Sequence, residues 1–275
     1  MESLFTLPVA GDARVRILQI TDTHLFAGEH ETLLGVNTLR SYHAVLDAIA
    51  AQQRPVDIIA ATGDLAQDHS LAAYRHFAAG IARFPVPCLW LPGNHDFQPA
   101  MVDALAGAGI APSKQALLGD HWQMVLLDTQ VSGVPHGELS EYQLAWLGRC
   151  LAAYPDRYTL LMLHHHPLPS GCTWLDQHSL RNAHELAALL ANYPKVTTLL
   201  CGHIHQEMDV PWHGRRLLAT PSTCVQFKPH CTSFTIDSAA PGWRYLDLYP
   251  DGRLETEVHR LDTHEFSPDM DSDGY

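Results

Sequence analysis

Five short apolar segments, each followed by Asp, Asn or His residues, constrain the fold of this chain more than any other feature. Each segment is continuous and about four residues long, which is typical of a strand buried on both faces of a parallel sheet. The segments are residues 17–20, 58–61, 88–91, 160–163 and 198–201. Because the carboxyl ends of such strands meet at one edge of an open α/β sheet, we expect the five ends to surround one crevice.

Carboxylate, carboxamide and imidazole side chains follow these segments in order. They occur as Asp22-x-His24, Gly63-Asp64, Gly93-Asn94-His95-Asp96, His164 and Gly202-His203-x-His205. Each motif alone is weak, because Asp, Asn and Gly also favour turns. Their joint order predicts a centre for two divalent metal ions, and the missing side chain of Gly202 would let the backbone approach them closely. The ligand types suit Fe, Mn, Zn or Co and do not separate these metals. Of the four we expect Fe or Mn, with Zn or Co as alternatives.

Two features beside these motifs leave alternatives open. The run His164-His165-His166 contains more imidazoles than one ligand position requires. One or two of them at most bind a metal, and the others orient ligands, contact a substrate or are solvated. Cys201 ends its segment next to the site, and we interpret it as a small buried residue rather than a thiolate ligand.

Helical periodicity alternates with the apolar segments over much of the chain. Asn37, Ser70 and Ser140 are predicted N-caps of amphipathic helices, and Ser140-x-x-Gln143 has the pattern of a capping box. Beyond His205 short strands follow one another, separated by Pro and Gly. These predicted strands are residues 216–219, 233–236, 243–249 and 254–259. The pattern indicates an α/β fold, called α+β in some schemes, with βα units first and antiparallel strands later.

Composition limits the organisation and the partners. We expect one domain over residues 1–275, with a catalytic core over about 14–260 and a C-terminal tail over about 261–275 whose acidic end is frayed. The formal net charge of −13 would repel a polyanion, so nucleic acid is not an expected partner. No apolar run approaches the roughly 20 residues of a membrane span. Six scattered cysteines and no recognisable leader predict a reduced cytoplasmic protein, while the oligomeric state stays undefined.

The quoted motifs resemble those of calcineurin-like metallophosphoesterases, and every motif position is filled. Two longer segments, residues 171–182 and 220–230, resemble bacterial class III 3′,5′-cyclic-AMP phosphodiesterases. The similarity extends from about the first strand to the C-terminus. It implies a metallophosphoesterase double β-sheet sandwich flanked by helices.

The resemblance also implies a role for each motif residue. One metal would be held by Asp22, His24 and His205, the second by Asn94, His164 and His203, and Asp64 would bridge them. His164 is chosen over His165 because an ungapped match through residues 167–169 puts His164 at the ligand position.

The implied activity is hydrolysis of 3′,5′-cyclic AMP to 5′-AMP by two-metal attack of a bridging hydroxide on phosphorus. His95 would stabilise the pentacovalent state and protonate the departing ribose 3′-oxygen. The implied substrate-binding residues are His24, Asp64, Asn94, His95, His164 and His205.

Other functions remain open on the sequence. A related enzyme could act on another phosphodiester, such as a 2′,3′-cyclic nucleotide or a glycerophosphodiester, on a phosphomonoester or on a nucleic acid end. A non-catalytic binding scaffold would not need a complete set of ligands, and a histidine-rich metal store would bind more metal without hydrolysis. Trp174, Phe227 and His165 are candidates for a base pocket, although aromatic residues in such segments more often belong to the core.

Overall fold

The computed structural model describes residues 4–9, 13–272 and 274, and it contains sixteen strands and six helices within them. The strands are β1 (Leu4–Leu7), β2 (Val15–Ile20), β3 (Thr32–Leu33), β4 (Val36–Asn37), β5 (Ile58–Thr62), β6 (Cys88–Leu91), β7 (Gln115–Leu118), β8 (Trp122–Leu126), β9 (Tyr158–Met162), β10 (Val196–Cys201), β11 (Met208–Trp212), β12 (Arg215–Ala219), β13 (Gln226–Phe227), β14 (Ile236–Asp237), β15 (Gly242–Leu248) and β16 (Leu254–Arg260). The helices are α1 (Thr38–Gln52), α2 (Leu71–Ile81), α3 (Gln98–Gly107), α4 (Glu141–Ala153), α5 (Thr173–Asp176) and α6 (Ala183–Leu190).

Twelve of these strands form two mixed sheets. One sheet has the order β1-β7-β8-β9-β10-β12-β11, and the other has the order β16-β15-β2-β5-β6. The five apolar segments all form strands, as predicted, with β2, β5 and β6 parallel in one sheet and β9 and β10 parallel in the other. Because each parallel set points the same way, its carboxyl ends lie at one edge of its sheet.

The two sheets pack face to face, and helices cover their outer faces. The layer between the sheets is built from strand side chains, among them Ile17 and Leu160. On β2 the neighbours of Ile17 point the other way, and Leu18 packs with residues of α1, α2 and α3. The outer face of the seven-stranded sheet packs against α4 and α6. The implied double β-sheet sandwich flanked by helices is therefore confirmed.

The three predicted N-caps are confirmed. The side chains of Asn37, Ser70 and Ser140 each accept a hydrogen bond from the backbone N–H three residues later. Such a cap contributes about 1 kcal/mol to stability. The capping box at Ser140 is only half formed, because the Gln143 side chain accepts a hydrogen bond from the Asp128 N–H instead.

The C-terminal part differs from the prediction at two places. The strand predicted over residues 233–236 is wrong for most of its length, because only Ile236–Asp237 forms a strand and pairs with β13 in a two-stranded ribbon. The tail contains no helix or strand in its described residues, yet Phe266 is buried and the Asp269 N–H donates to the Leu34 carbonyl at 2.8 Å. The predicted fraying of residues 273 and 275 lies outside the described residues.

Within the described part of the chain, no helix combines the length and the apolar character that a membrane crossing requires.

Candidate metal centre

The predicted ligands converge at the carboxyl ends of five strands. Asp22 and His24 follow β2, Asp64 follows β5, Asn94 follows β6, His164 follows β9, and His203 and His205 follow β10. All except Asn94 are at most 4% exposed. Residues separated by up to 183 positions in the chain thus form one buried polar site between the two sheets.

Asp22, His24 and His205 form the first cluster of ligand atoms. The Nε2 atoms of His24 and His205 are 3.1 Å apart, and Asp22 Oδ1 lies 3.3 Å from His205 Nε2 and 4.0 Å from His24 Nε2. Two ligand atoms that bind the same ion, each about 2.1 Å from it, lie roughly 3.0–4.2 Å from each other. The three side chains could therefore hold one cation.

Asp64, His164 and His203 form the second cluster. Asp64 Oδ2 lies 3.2 Å from His164 Nε2 and 3.8 Å from His24 Nε2, which belongs to the first cluster. A single carboxylate oxygen thus faces an imidazole of each cluster. This is the arrangement that a carboxylate bridging two ions would have.

Three buried polar atoms in the site have no hydrogen-bond partner among the described residues. They are Asn94 Oδ1, His164 Nε2 and His203 Nε2. A buried polar atom without a partner costs about 1–3 kcal/mol. Metal ions would satisfy all three atoms, so this donor set fits a binuclear centre.

Three of the imidazoles are oriented by acceptors behind them. The acceptors are Gln67 Oε1 for His24 Nδ1 at 2.7 Å, the Thr62 carbonyl for His164 Nδ1 at 2.8 Å and the Val225 carbonyl for His205 Nδ1 at 2.8 Å. A carbonyl oxygen only accepts, so Nδ1 carries a hydrogen, and in the neutral ring the Nε2 lone pair is available to a metal. Gln67 was not predicted from the sequence.

The backbone is left-handed at five of the candidate ligands. The φ angles are 53° at Asp22, 44° at His24, 50° at Asp64, 69° at His203 and 50° at His205. Such a conformation costs on the order of 1 kcal/mol or more at a non-glycine residue, and it clusters at functional sites. The coincidence of strained backbone and potential ligands supports a functional role for this site.

Two glycines allow the loops to approach one another closely. A Cβ atom on Gly63, whose φ is +95°, would lie 2.5 Å from His164 Nδ1. A Cβ atom on Gly202 would lie 2.6 Å from Asp22 Oδ2. The expected close approach at Gly202 is therefore present, and the atom approached is that of a candidate ligand.

The buried carboxylates and imidazoles of the site shift one another's pKa values in different directions. Burial alone would lower the pKa of His164, but Asp64 and Asp22 raise it to about 9. Burial alone would raise the pKa of Asp64, but His164 and His95 hold it well below its usual range. Burial, with His165 and His164, lowers the pKa of His203 well below its ordinary value. The carboxylates are thus ionised, as metal binding requires.

His164 and His165 have different partners in the structure. His164 belongs to the second cluster, whereas His165 places Nδ1 2.7 Å from the Thr129 hydroxyl. Cys201 is buried, and burial together with the Asp22 charge raises the pKa of its thiol. A thiol of raised pKa is a poor metal ligand, which agrees with the interpretation of Cys201 as a packing residue.

His95 forms a third group of ligand-capable side chains with His24 of the first cluster and Asp64 of the second. Its ring centroid is 5.1 Å from that of His24, and its backbone N–H donates to Asp64 Oδ1 at 2.8 Å. His95 is partly exposed and lines a cavity of about 680 Å³. Asn94 and His203 line the same cavity, so it leads from solvent to the second cluster.

Part of the cavity lining is aromatic, and its residues differ from those expected for the base pocket. Phe97, Trp174 and Phe234 line the cavity. Phe227 does not, because it is buried and stacks on the His205 ring with centroids 4.4 Å apart. His165 is likewise buried away from the cavity. Of the three residues considered from the sequence, only Trp174 lines the cavity.

Asp96 connects the loops of the site, a role that the sequence did not predict. Its carboxylate accepts hydrogen bonds from three backbone N–H groups, those of Leu65, Ala66 and Gly93. Burial and the Asp64 charge raise the pKa of Asp96 to about 7. The loops after β5 and β6 are therefore joined through one buried side chain.

Comparisons with known proteins agree with this geometry. The family model described as calcineurin-like phosphoesterase matches residues 15–207. The chain is 69% identical over 275 residues, covering 100% of both chains, to the 3′,5′-cyclic adenosine monophosphate phosphodiesterase CpdA of Escherichia coli (strain K12). Among solved structures, a dimetal phosphatase from Danio rerio matches with a TM-score of 0.60 at 16% identity, over 90% of this chain and 99% of that one.

A second solved structure matches with a higher TM-score and carries a different role. GAP50, described as the anchor in the inner membrane complex of Plasmodium, matches with a TM-score of 0.65 at 14% identity, over 94% of this chain and 90% of that one. The two structural neighbours are thus named for different roles. At such identities the likeness shows the fold alone.

Proposed function

This chain belongs to the calcineurin-like phosphoesterase family, and we propose that it hydrolyses 3′,5′-cyclic AMP to 5′-AMP. The observation that carries the proposal is the position of Asp64 Oδ2 near an imidazole of each cluster, next to residues Asn94 and His203 that line the cavity. The cyclic-AMP phosphodiesterase to which the chain is 69% identical over its full length supports the choice of substrate.

In the proposed site, Asp22, His24 and His205 hold one divalent ion. Asn94, His164 and His203 would hold the other, and Asp64 would be shared by both. We propose Fe or Mn as the ions, with Zn or Co as alternatives, and the oxygen and imidazole ligands are compatible with all four. When bound, two dications neutralise phosphate oxygens and lower the pKa of the attacking water.

The protein contributes orientation and one proton transfer. The six residues proposed to contact the phosphodiester are His24, Asp64, Asn94, His95, His164 and His205. His95, on the cavity side of the clusters, donates a proton to the ribose 3′-oxygen as its bond to phosphorus breaks. Water supplies the new oxygen on phosphorus, so the product is the 5′-monophosphate. The cavity of about 680 Å³ accommodates the nucleoside.

The proposed substrate is a small cyclic nucleotide rather than a nucleic acid. The formal net charge of −13 supports this choice, because long-range repulsion disfavours a polyanion. We also propose that the protein acts in the cytoplasm. The six cysteines are scattered along the sequence without a C-x-x-C pair, a pattern that supports a reducing compartment.

Product identification together with metal analysis tests the proposal. Purified protein loaded with Mn²⁺ is incubated with cyclic AMP, cyclic GMP, 2′,3′-cyclic nucleotides and glycerophosphodiesters. We expect two metal ions per chain and 5′-AMP as the product of the preferred substrate. Preference for another diester would replace the substrate but keep the metal centre. Two bound metals without turnover would indicate a binding scaffold, and more than two without turnover would indicate metal storage.

A further inference from the structure

We propose that Gln130 is a positioning residue that fixes the loop carrying Asn94 and His95, an inference that rests on the proposed function. Gln130 lies in the segment after β8 and lines the cavity. It belongs to the seven-stranded sheet's side of the site, whereas the loop that it contacts follows β6 of the other sheet. It therefore joins the two halves of the sandwich next to the site.

The Gln130 amide holds both ends of the loop. Its Nε2 donates to the Gly93 carbonyl at 2.7 Å and to the Asp96 carbonyl at 2.5 Å. The two residues between these carbonyls are Asn94 and His95. Both hydrogens of the Gln130 amide are thus used on the backbone that flanks the proposed ligand and the proposed acid.

The orientation of this amide is fixed by its partners. Carbonyl oxygens only accept, so the NH₂ group of Gln130 must face the loop. Its Oε1 accepts a hydrogen bond from Gln98 Nε2 at 2.8 Å, and the same nitrogen donates to Asp128 Oδ2 at 2.8 Å. Asp128 Oδ1 in turn accepts from the Gln130 backbone N–H at 2.9 Å. The three side chains form a closed set of hydrogen bonds.

The backbone contacts of Gln130 matter for Asn94 because the side-chain oxygen of Asn94, Oδ1, is not itself held by a hydrogen bond from any described residue. The Asp96 carboxylate holds the same loop from its other side through the Gly93 N–H. A displacement of about 1 Å at such a site costs roughly 10²-fold in rate. Loss of the Gln130 contacts would therefore weaken metal binding through Asn94 and turnover through His95.

The first test is Gln130→Glu, which keeps the shape but turns a carboxylate oxygen toward the two carbonyls. With cyclic AMP we expect kcat to fall about 10–100-fold, and the Kd for Mn²⁺, measured without substrate by calorimetric titration, to rise by about the same factor. We expect KM to change by less than about threefold at saturating Mn²⁺. Gln53→Glu, on the exposed residue after α1, makes the same charge change away from the site and should match wild type.

A double-mutant cycle separates positioning from general destabilisation. If Gln130 acts partly through His95, Gln130→Glu should lower kcat less in the His95→Gln background than in wild type. Gln98→Met is the alternative variant if Gln130→Glu does not fold. It keeps Gln130 but removes the donor to its Oε1, so it should give a smaller loss of the same kind. Wild-type kcat and Mn²⁺ dependence in either folded variant would overturn the proposal. Additive losses of kcat in the double variant, together with an unchanged Mn²⁺ dependence, would also overturn the proposal.

A substrate without a nucleoside separates this proposal from the proposed function. The same variants are measured with bis(4-nitrophenyl) phosphate. If wild type cleaves this ester but not cyclic AMP, the substrate proposal is wrong, and a raised Mn²⁺ requirement of Gln130→Glu still supports positioning. If wild type cleaves cyclic AMP and Gln130→Glu does so equally well at every Mn²⁺ concentration, only the positioning proposal fails.

Discussion

The Nε2 atoms of His24 and His205 face each other at 3.1 Å, while the Nδ1 atom of each ring is engaged by an oxygen acceptor. Since both Nδ1 atoms donate, two neutral rings would turn two lone pairs toward each other. A cation between the two nitrogens removes this repulsion. The site is therefore less stable without a bound cation than with one.

Removal of metal should destabilise the fold. Dialysis against a chelator should lower the midpoint of thermal unfolding, and free Mn²⁺ at 100 times its Kd should raise the free energy of unfolding by about 2.7 kcal/mol. Differential scanning calorimetry measures both changes. His205→Ala, which removes one of the facing nitrogens, should respond less to Mn²⁺. An unfolding midpoint independent of metal would contradict the prediction.

His95→Gln should impair turnover without loss of metal. If His95 protonates the leaving 3′-oxygen, kcat for cyclic AMP should fall roughly 10²–10⁴-fold. The loss should be much smaller with bis(4-nitrophenyl) phosphate, because 4-nitrophenolate departs without a proton. Metal content, measured by mass spectrometry of the elements, should stay at the wild-type value. Equal losses on both substrates would exclude the general-acid role.

Gln67→Leu should weaken metal binding through His24. The substitution removes the acceptor that lies 2.7 Å from His24 Nδ1. Loss of such a partner costs about 10–100-fold in metal affinity or activity. Gln67→Glu keeps an acceptor at nearly the same position and should retain most of the affinity. Calorimetric titration with Mn²⁺ compares the variants, and equal affinities in Gln67→Leu and wild type would refute the role of Gln67.

Gly202→Ala and Cys201→Ala are neighbouring changes with opposite expected results. The added methyl group at Gly202 would lie 2.2 Å from Thr21 Oγ1 and 2.6 Å from Asp22 Oδ2, so both side chains must move and metal content should fall. Cys201→Ala removes only a buried thiol whose raised pKa keeps it protonated, so metal content should be unchanged. Elemental analysis of both variants measures this. Metal loss in Cys201→Ala would instead indicate a thiolate ligand.

The strands and the proposed ligands could be predicted because their signals are local. An apolar run followed by Asp, Asn or His is visible in a few residues, and the carboxyl-end rule places such residues together. The N-caps at Ser70 and Ser140 are equally local, since each bonds to an N–H three residues later.

The supporting side chains could not be predicted because their partners are distant in the chain. Gln67 bonds to a residue 43 positions away, and Gln130 bonds to carbonyls 34 and 37 positions away. No periodicity marks these residues. The sequence also predicts Phe227 rather than Phe234 for the cavity, whereas Phe234 lines it. The periodicity of an irregular segment does not reveal which of its side chains faces a cavity.

Activity and stability favour different residues at the five positions with left-handed φ angles, because the side chains needed there strain the backbone. These positions are Asp22, His24, Asp64, His203 and His205. Glycine would relieve the strain at each of these positions, at the cost of a side chain that the reaction needs. A directed-evolution experiment that rewards only heat resistance in the absence of metal should therefore accumulate glycine there. Relatives that no longer catalyse the reaction should also be able to carry glycine at these positions.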